Sequence, residues 1–201
     1  MGLLNAILTE EEYLKLERAA LERHQYIDGE LFAMAGETGE HGDISMNSAV
    51  SLANQLGDGP CRVRDKDTKV RSGPMPRSPN RPGGLYSYPD IVVICDEPQY
   101  LDEYRDVILN PKVIVEILSK TTEAFDRGAK FTRYQRYNPT LTDYVLISQD
   151  EPRIEHFHRE KNGAWTYQSH EGLKAVVKLP SIKCLLKAKD VYRRVKFKNK
   201  N

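Results

Sequence analysis

The feature that most constrains the fold is a short apolar run, VIVEIL at 113–118, which contains one carboxylate, that of Glu116. Valine- and isoleucine-rich runs of this length are typical of strands that are covered on both faces of a sheet. An ionised carboxylate in such a strand is costly unless another group compensates its charge. The sequence therefore predicts a buried strand and, close to it, a cation that stabilises Glu116.

The length and composition of the chain predict one domain. Its 201 residues are enough for a substantial core, and neither a repeat nor a Gly/Ser-rich linker divides them. The 30 Lys and Arg residues balance 29 acidic residues, so the total charge does not indicate nucleic-acid binding. The C-terminal tail, at about 193–201, is locally basic, and we interpret it as a solvated chain end.

The cysteines and the N-terminus bear on the cellular compartment. Cys61, Cys95 and Cys184 are far apart and form no CxxC pair, so we expect neither a disulfide framework nor a cysteine zinc site. The N-terminal segment becomes acidic too early for a signal peptide, and no apolar run reaches the length of a membrane span. We therefore expect a cytoplasmic protein without a membrane partner.

Hydrophobic periodicity predicts an α/β sandwich around a mixed sheet, with additional β-hairpins. Capping and spacing predict helices at about 9–23, 41–56 and 122–137. The predicted strands are a pair joined by a turn at Asp28-Gly29, an edge strand at 62–70, core strands at 91–95, 113–118 and 143–148, and a hairpin of 153–159 with 164–168. The Pro- and Gly-rich segment 72–84 is expected to be a mobile loop.

A second carboxylate is expected beside Glu116. Asp90 follows Pro89 at the entrance of the strand at 91–95. If this strand and the strand at 113–118 are antiparallel neighbours, the start of one lies beside the end of the other. Asp90 and Glu116 then converge, and a hard divalent cation such as Mg²⁺ would relieve their repulsion.

The helix after Glu116 supplies a further charged group. Asp126, Lys130 and Tyr134 lie at i, i+4 and i+8 and therefore on one stripe of this helix. Lys130 can reach the carboxylates and stabilise charge that builds up on a phosphate. An ordinary helix ion pair between Asp126 and Lys130 remains the simpler interpretation of this spacing alone.

The ordered set of Asp90 in a Pro-Asp pair, Glu116 in VEILS, and Asp126, Lys130 and Tyr134 resembles the Uma family of proposed endonucleases. This family, a former domain of unknown function that is common in cyanobacteria, belongs to the restriction-endonuclease-like PD-(D/E)xK superfamily. The resemblance covers about 26–145. Its combined pattern is specific, whereas each motif alone is not.

Two N-terminal positions extend the resemblance. Glu30, in the DGEL segment, and His41 resemble a Glu and a His of the family. The resemblance implies a single restriction-endonuclease-like domain over 1–201, a mixed sheet flanked by helices with its core at about 26–148. It also implies a metal-dependent phosphodiesterase in which Asp90 and Glu116 bind the metal and Lys130 is the catalytic lysine. Glu30, His41, Asp126 and Tyr134 would support this site.

One position departs from the superfamily pattern. The usual lysine lies two residues after the glutamate, and that position is Leu118 here. Lys130 would be a lysine relocated to the following helix, and Lys120 is the alternative nearer in sequence. We favour Lys130 because residues 119–122 are expected to end the strand and cap the helix.

The leading functional hypothesis is a DNA endonuclease that depends on Mg²⁺ or Mn²⁺ and uses metal-activated water. DNA would be its partner, and cleavage of both strands would favour a homodimer. Two alternatives remain open. One is a nucleic-acid-binding or regulatory module that retains the nuclease fold with little or no hydrolysis. The other is a glycosidase that uses Asp90 and Glu116, although Lys130 has no clear role in it.

A histidine pair, His156 and His158, lies on one face of a predicted strand. This i, i+2 spacing is compatible with a transition metal. The sequence shows no third ligand near the pair, so we interpret it as structural.

Overall fold

The computed structural model describes residues 7–34, 36–74 and 82–197. Helix α1 (Glu10–Ala19) begins at a capping box, because the Thr9 hydroxyl accepts from the Glu12 backbone N–H while the Glu12 carboxylate accepts from the backbone N–H of Thr9. Helix α2 (Gly39–Leu56) begins after Thr38, whose hydroxyl accepts from the His41 N–H. Helix α1 ends before the predicted residue 23, because Ala20 already has an extended backbone.

The larger sheet has six strands and is mixed. Its central pair, β8 (Val113–Leu118) and β9 (Asp143–Ser148), is parallel, whereas the other neighbours are antiparallel. The remaining strands are β3 (Cys61–Asp65), β6 (Ile91–Cys95), β10 (Arg153–Arg159) and β11 (Trp165–Glu171), and the order is β11-β10-β9-β8-β6-β3. The predicted core strands and the hairpin are confirmed.

A second sheet of five strands lies beside the first. It contains the predicted hairpin of β1 (His24–Ile27) and β2 (Glu30–Ala33), with β4 (Lys69–Ser72), β5 (Leu85–Ser87) and β7 (Val107–Ile108), in the order β2-β1-β5-β4-β7. The prediction of a single edge strand at 62–70 was wrong. The turn around residue 67 divides this segment, so that β3 joins the six-stranded sheet and β4 joins the second, where it is fully buried.

The C-terminal part of the chain adds elements that the sequence did not predict. Strands β12 (Val176–Leu179) and β13 (Cys184–Lys187) form a hairpin, and the short helix α5 (Ala188–Val191) follows it. The loop predicted at 72–84 falls largely on residues 75–81, which lie outside the described residues, as does the end of the basic tail.

Three apolar clusters position the site. One face of the six-stranded sheet packs on α2, β12 and β13, and includes Val115 and Val145. The opposite face, with Ile114, Leu118 and Tyr144, packs on the second sheet and on the helix after β8. Helix α1 covers the second sheet through Tyr13. The mixed α/β fold predicted from the sequence is confirmed, and Glu116 shares its face of β8 with Ile114 and Leu118.

The helix predicted at about 122–137 is interrupted by a π-helical turn. Helix α3 (Glu123–Phe125) leads into the π turn Asp126–Lys130, and α4 (Phe131–Tyr137) follows it. Turns of this kind are rare in proteins, and many of those known lie at functional sites.

The expectation of no disulfide was wrong. Cys61 and Cys95 are joined, because they are register partners on the antiparallel strands β3 and β6 although 34 residues separate them in the sequence. Sheet pairing brings such distant residues together, which sequence spacing cannot show. Cys184 is a buried free thiol.

Among the described residues, no helix is long and apolar enough to cross a membrane.

Candidate active site

Two carboxylates lie at one edge of the six-stranded sheet. Ile91 pairs with Val115 in the antiparallel β6–β8 ladder, so Asp90, one residue earlier, lies beside Glu116. The Ile117 N–H donates to Oδ2 of Asp90 at 2.7 Å, which fixes the Asp90 carboxylate against β8. Adjacent antiparallel strands thus place Asp90 and Glu116 next to each other.

Lys130 lies against both buried acids of this region. Its Nζ is 2.7 Å from Oε1 of Glu116 and 3.0 Å from Oδ1 of Asp126, and all three side chains are almost fully buried. The contact with Glu116 is an ion pair without hydrogen-bond geometry, whereas Lys130 donates a hydrogen bond to Asp126. The positive partner that the sequence required for Glu116 is therefore supplied by the chain itself.

The π turn sets the position of Lys130. Asp126 and Lys130 are its first and last residues, and Tyr144 of β9 donates its phenol O–H to the Asp126 backbone carbonyl at 2.9 Å. One turn later, the hydroxyls of Tyr134 and Ser87 are hydrogen-bonded at 2.7 Å in the interior. The helix is thus attached to both sheets on either side of Lys130.

His41 holds the exposed side of Asp90. Its Nε2 donates to Oδ1 of Asp90 at 2.7 Å, and both side chains are partly exposed. Glu37 lies 3.9 Å from the same imidazole nitrogen and is paired with Lys66 at 2.6 Å. The edge of the site at Asp90 is therefore open to solvent, while the Glu116 end is closed.

Burial and charge shift the protonation of this cluster. Burial raises the pKa of Glu116 to about 8, and the negative charges of Asp126 and Asp90 add to this, although the charge of Lys130 opposes it. Burial alone would lower the pKa of Lys130, but the charges of Glu116 and Asp126 hold it well above its usual value. Burial disfavours a charged His41, yet Asp90 outweighs this and raises the pKa of His41. One ammonium does not fully compensate the buried acids.

Known proteins resemble this chain in sequence and in fold. The model of the Uma2 family, described as "Putative restriction endonuclease", matches residues 10–186. The chain belongs to the Uma2 family. It is 34% identical over 193 residues to the uncharacterized protein slr1290 of Synechocystis sp., with 94% of each chain covered. It is 30% identical to the uncharacterized protein sll1609 of the same organism, over 88% of this chain and 95% of the relative.

A solved structure shows the same fold. The protein, from Anabaena variabilis, is titled a "putative nuclease belonging to DUF820" and superposes with a TM-score of 0.71. The alignment covers 92% of this chain and 97% of the other at 18% identity, a level at which the likeness establishes the fold alone. The restriction-endonuclease-like fold that the resemblance implied is therefore confirmed.

Of the five predicted site residues besides Asp90 and Glu116, the structure brings three to this pair: Lys130 contacts Glu116, Asp126 contacts Lys130, and His41 contacts Asp90. Tyr134 is hydrogen-bonded to Ser87 instead. The hydrogen bonds and ion pairs of the described residues do not connect Glu30 to this cluster, and Glu30 is exposed at the start of β2. Lys120 is exposed after β8, unlike Lys130.

Three residues that contact the candidate site were not predicted from the sequence. Ser87 lies on β5, 47 residues before Tyr134, and Tyr144 lies on β9, the next strand after the helix; neither lies in a motif. Glu37 precedes the α2 cap by one residue and lies four residues before His41. That i, i+4 spacing is the signal that could have found it.

Proposed function

We propose that the protein is a metal-dependent endonuclease that hydrolyses phosphodiester bonds of DNA with Mg²⁺ or Mn²⁺. The observation that carries the proposal is the contact of the buried Lys130 with Glu116, on the strand next to Asp90. Membership of the Uma2 family supports nucleic acid as the substrate class.

The donor set fits a hard divalent cation. Asp90 and Glu116 offer carboxylate oxygens, which Mg²⁺ and Mn²⁺ prefer. The raised pKa of Glu116 supports this fit, since an additional positive charge nearby would favour its ionised form. A bound ion would neutralise charge on the scissile phosphate and lower the pKa of a coordinated water.

The side chains around the carboxylates have distinct tasks. His41 and the Ile117 N–H each hold one oxygen of Asp90, so the orientation of this carboxylate is fixed before any ligand arrives. Such preorganisation means that little rearrangement is needed during the reaction.

Lys130 supplies positive charge toward the substrate phosphate. Because Asp126 and Glu116 hold its ammonium on two sides, Lys130 stays charged and fixed in a place from which water is largely excluded. A fixed charge of this kind stabilises negative charge that develops on the phosphate in the transition state. Lys120, exposed and outside this cluster, does not have these contacts.

The open edge near Asp90 and His41 is the side on which we place the DNA backbone. Both side chains are partly exposed there, and Lys66, paired with Glu37, lies at the rim, where it could contact a phosphate. Cleavage of both strands would favour a homodimer with two such sites.

The test is cleavage of supercoiled plasmid by the purified full-length chain in Mg²⁺, in Mn²⁺ and in EDTA. We expect nicked or linear product only with the metal. Asp90→Asn and Glu116→Gln should abolish cleavage, while Glu11→Gln, an exposed acid on α1, serves as the matched control. DNA binding without cleavage in any metal would instead support a binding or regulatory module on the nuclease fold.

A further inference from the structure

A second group of possible metal ligands lies on the other face of the six-stranded sheet. His156 and His158 project from β10 toward Asp143, the first residue of β9, which is fully buried. The sequence interpretation of these histidines as lacking a third ligand was therefore wrong. The adjacent strand supplies one, because Asp143 pairs with His158 in the β9–β10 ladder.

The ligand atoms of this cluster converge on one point. Nε2 of His156 and Nδ1 of His158 donate to the same oxygen, Oδ1 of Asp143, at 2.7 and 2.8 Å. All three ligand atoms lie within 4.8 Å of one another. Ligands at about 2.0–2.1 Å from a tetrahedral Zn²⁺ lie roughly 3.3 Å apart. To admit an ion, each imidazole nitrogen would therefore have to move about half an ångström away from Oδ1 of Asp143.

The carboxylate of Asp143 is prepared for this role. Ser181 donates to its second oxygen, Oδ2, as does Thr142 at 3.2 Å. Together with the two imidazoles on Oδ1, four hydrogen-bond donors therefore surround this carboxylate. Outer hydrogen bonds of this kind orient ligating carboxylates in known metal sites.

A third imidazole on the same face has an unsatisfied nitrogen. His170 of β11 pairs with Ile154 and so lies diagonally from His156 across the ladder. Its Nε2 is buried and has no hydrogen-bond partner among the described residues. A buried polar atom without a partner is costly in a purely structural network. This unpaired imidazole nitrogen lies on the same face of the sheet as the three possible ligands.

We propose that Asp143, His156 and His158 form a second cation site, which takes Zn²⁺ or a similar borderline transition metal. Two imidazoles and one carboxylate match such ions better than Mg²⁺, which prefers oxygen ligands. His158 is 24% exposed and gives the ion access from solvent, while His156 is buried behind it. Three protein ligands leave a coordination position for water.

This site is separate from the carboxylates of the proposed nuclease centre. Asp143 shares the face of β9 with Val145, whereas Glu116 lies on the opposite face of the sheet. Along the β8–β9 ladder, Glu116 pairs with Leu146, three residues beyond Asp143. Metal binding at the two places can therefore be separated by substitution.

The experiment is Zn²⁺ titration of the metal-free full-length chain against a chromophoric chelator, with Co²⁺ absorption as a report on imidazole ligation. The wild-type chain and the Asp90→Asn/Glu116→Gln double variant should both bind one ion with micromolar or tighter affinity. His158→Ala and His156→Gln should each weaken binding by at least about tenfold, as the loss of a direct ligand requires. At Zn²⁺ concentrations near one hundred times Kd, the wild-type Tm should rise by about 5–10 °C.

The two substituted histidines differ in burial, so at least one variant is expected to fold. His158 is partly exposed, so His158→Ala should retain the wild-type circular dichroism spectrum even if His156→Gln does not. Unchanged Zn²⁺ affinity in a folded His158→Ala would overturn the proposal. So would binding that disappears in Asp90→Asn/Glu116→Gln, which would assign the ion to the nuclease carboxylates, or the absence of micromolar binding to the wild-type chain.

Discussion

Replacement of Lys130 by Met tests the central contact of the site. The substitution retains the length of the side chain and removes the ammonium from Glu116 and Asp126, both almost fully buried. Breaking a buried ion pair by removal of one partner typically costs about 3–5 kcal/mol. Glu116, whose pKa is already about 8, can take up a proton and limit this cost. We therefore expect a loss near the lower end, about 3 kcal/mol.

For a chain of this size, 1 kcal/mol corresponds to about 2–4 °C in Tm, so Lys130→Met should melt about 6–12 °C below the wild type. Lys120→Met, at an exposed position, should change the free energy of unfolding by less than about 0.5 kcal/mol. The double variant Lys130→Met/Glu116→Gln should recover part of the lost stability, because it removes one of the two uncompensated acids.

The variants should rank differently in cleavage rate and in stability. Lys130→Met should cleave plasmid at least about a hundredfold more slowly at a temperature at which it is folded, which corresponds to about 2.7 kcal/mol of transition-state stabilisation. The double variant should remain inactive although it is more stable than Lys130→Met. Lys120→Met should cleave at the wild-type rate. Calorimetry and a cleavage time course on the same preparations measure both properties. A Lys130→Met protein that melts and cleaves like the wild type would refute the reasoning.

Three further predictions address other contacts. Asp90→Asn and Glu116→Gln should each weaken Mn²⁺ binding by about tenfold or more in calorimetric titration, since each removes an anionic oxygen ligand. Glu30→Gln should not weaken it. Equal affinities in all three variants would exclude Asp90 and Glu116 as metal ligands. Burial opposes ionisation of Asp106, but Arg18 and Lys69 outweigh it and lower the pKa of Asp106 to about 2. The stabilisation from this carboxylate should be complete above about pH 4 and lost as the pH falls toward 2, so Asp106→Asn should show a smaller decline in Tm than the wild type over that window. Ser87→Ala should lower the free energy of unfolding by about 1–3 kcal/mol, because it leaves the buried Tyr134 hydroxyl without its partner. In urea unfolding, Ser87→Ala/Tyr134→Phe should lose less stability than the two single variants together. Strict additivity would show that the hydrogen bond is not formed.

The sequence predicted those parts of the site that are encoded locally. Glu116 was identified because a carboxylate interrupts an apolar strand, and Lys130 because it lies one helical turn from Asp126. Both signals depend only on residues close together in the chain.

The other parts depend on contacts between separate elements and on strand register. Ser87 contacts Tyr134 across 47 residues, and Cys61 pairs with Cys95 across 34. Asp143 meets His158 only because β9 and β10 are in one particular register. A shift of one residue would turn Asp143 to the other face, so hydrophobic pattern alone could not assign these contacts.

The π turn has a consequence for the length of the chain between β8 and β9. A π turn holds one residue more than an α-helical turn, so the helix contains a residue that the α-helical hydrogen-bond pattern does not need. Deletion of Gly128, which has open space around it, could yield a regular helix. In the regular helix Asp126 and Lys130 would be three residues apart instead of four, at about 60° to each other around the helix axis. The extra residue of the π turn therefore sets the spacing of the two charged side chains that lie beside Glu116.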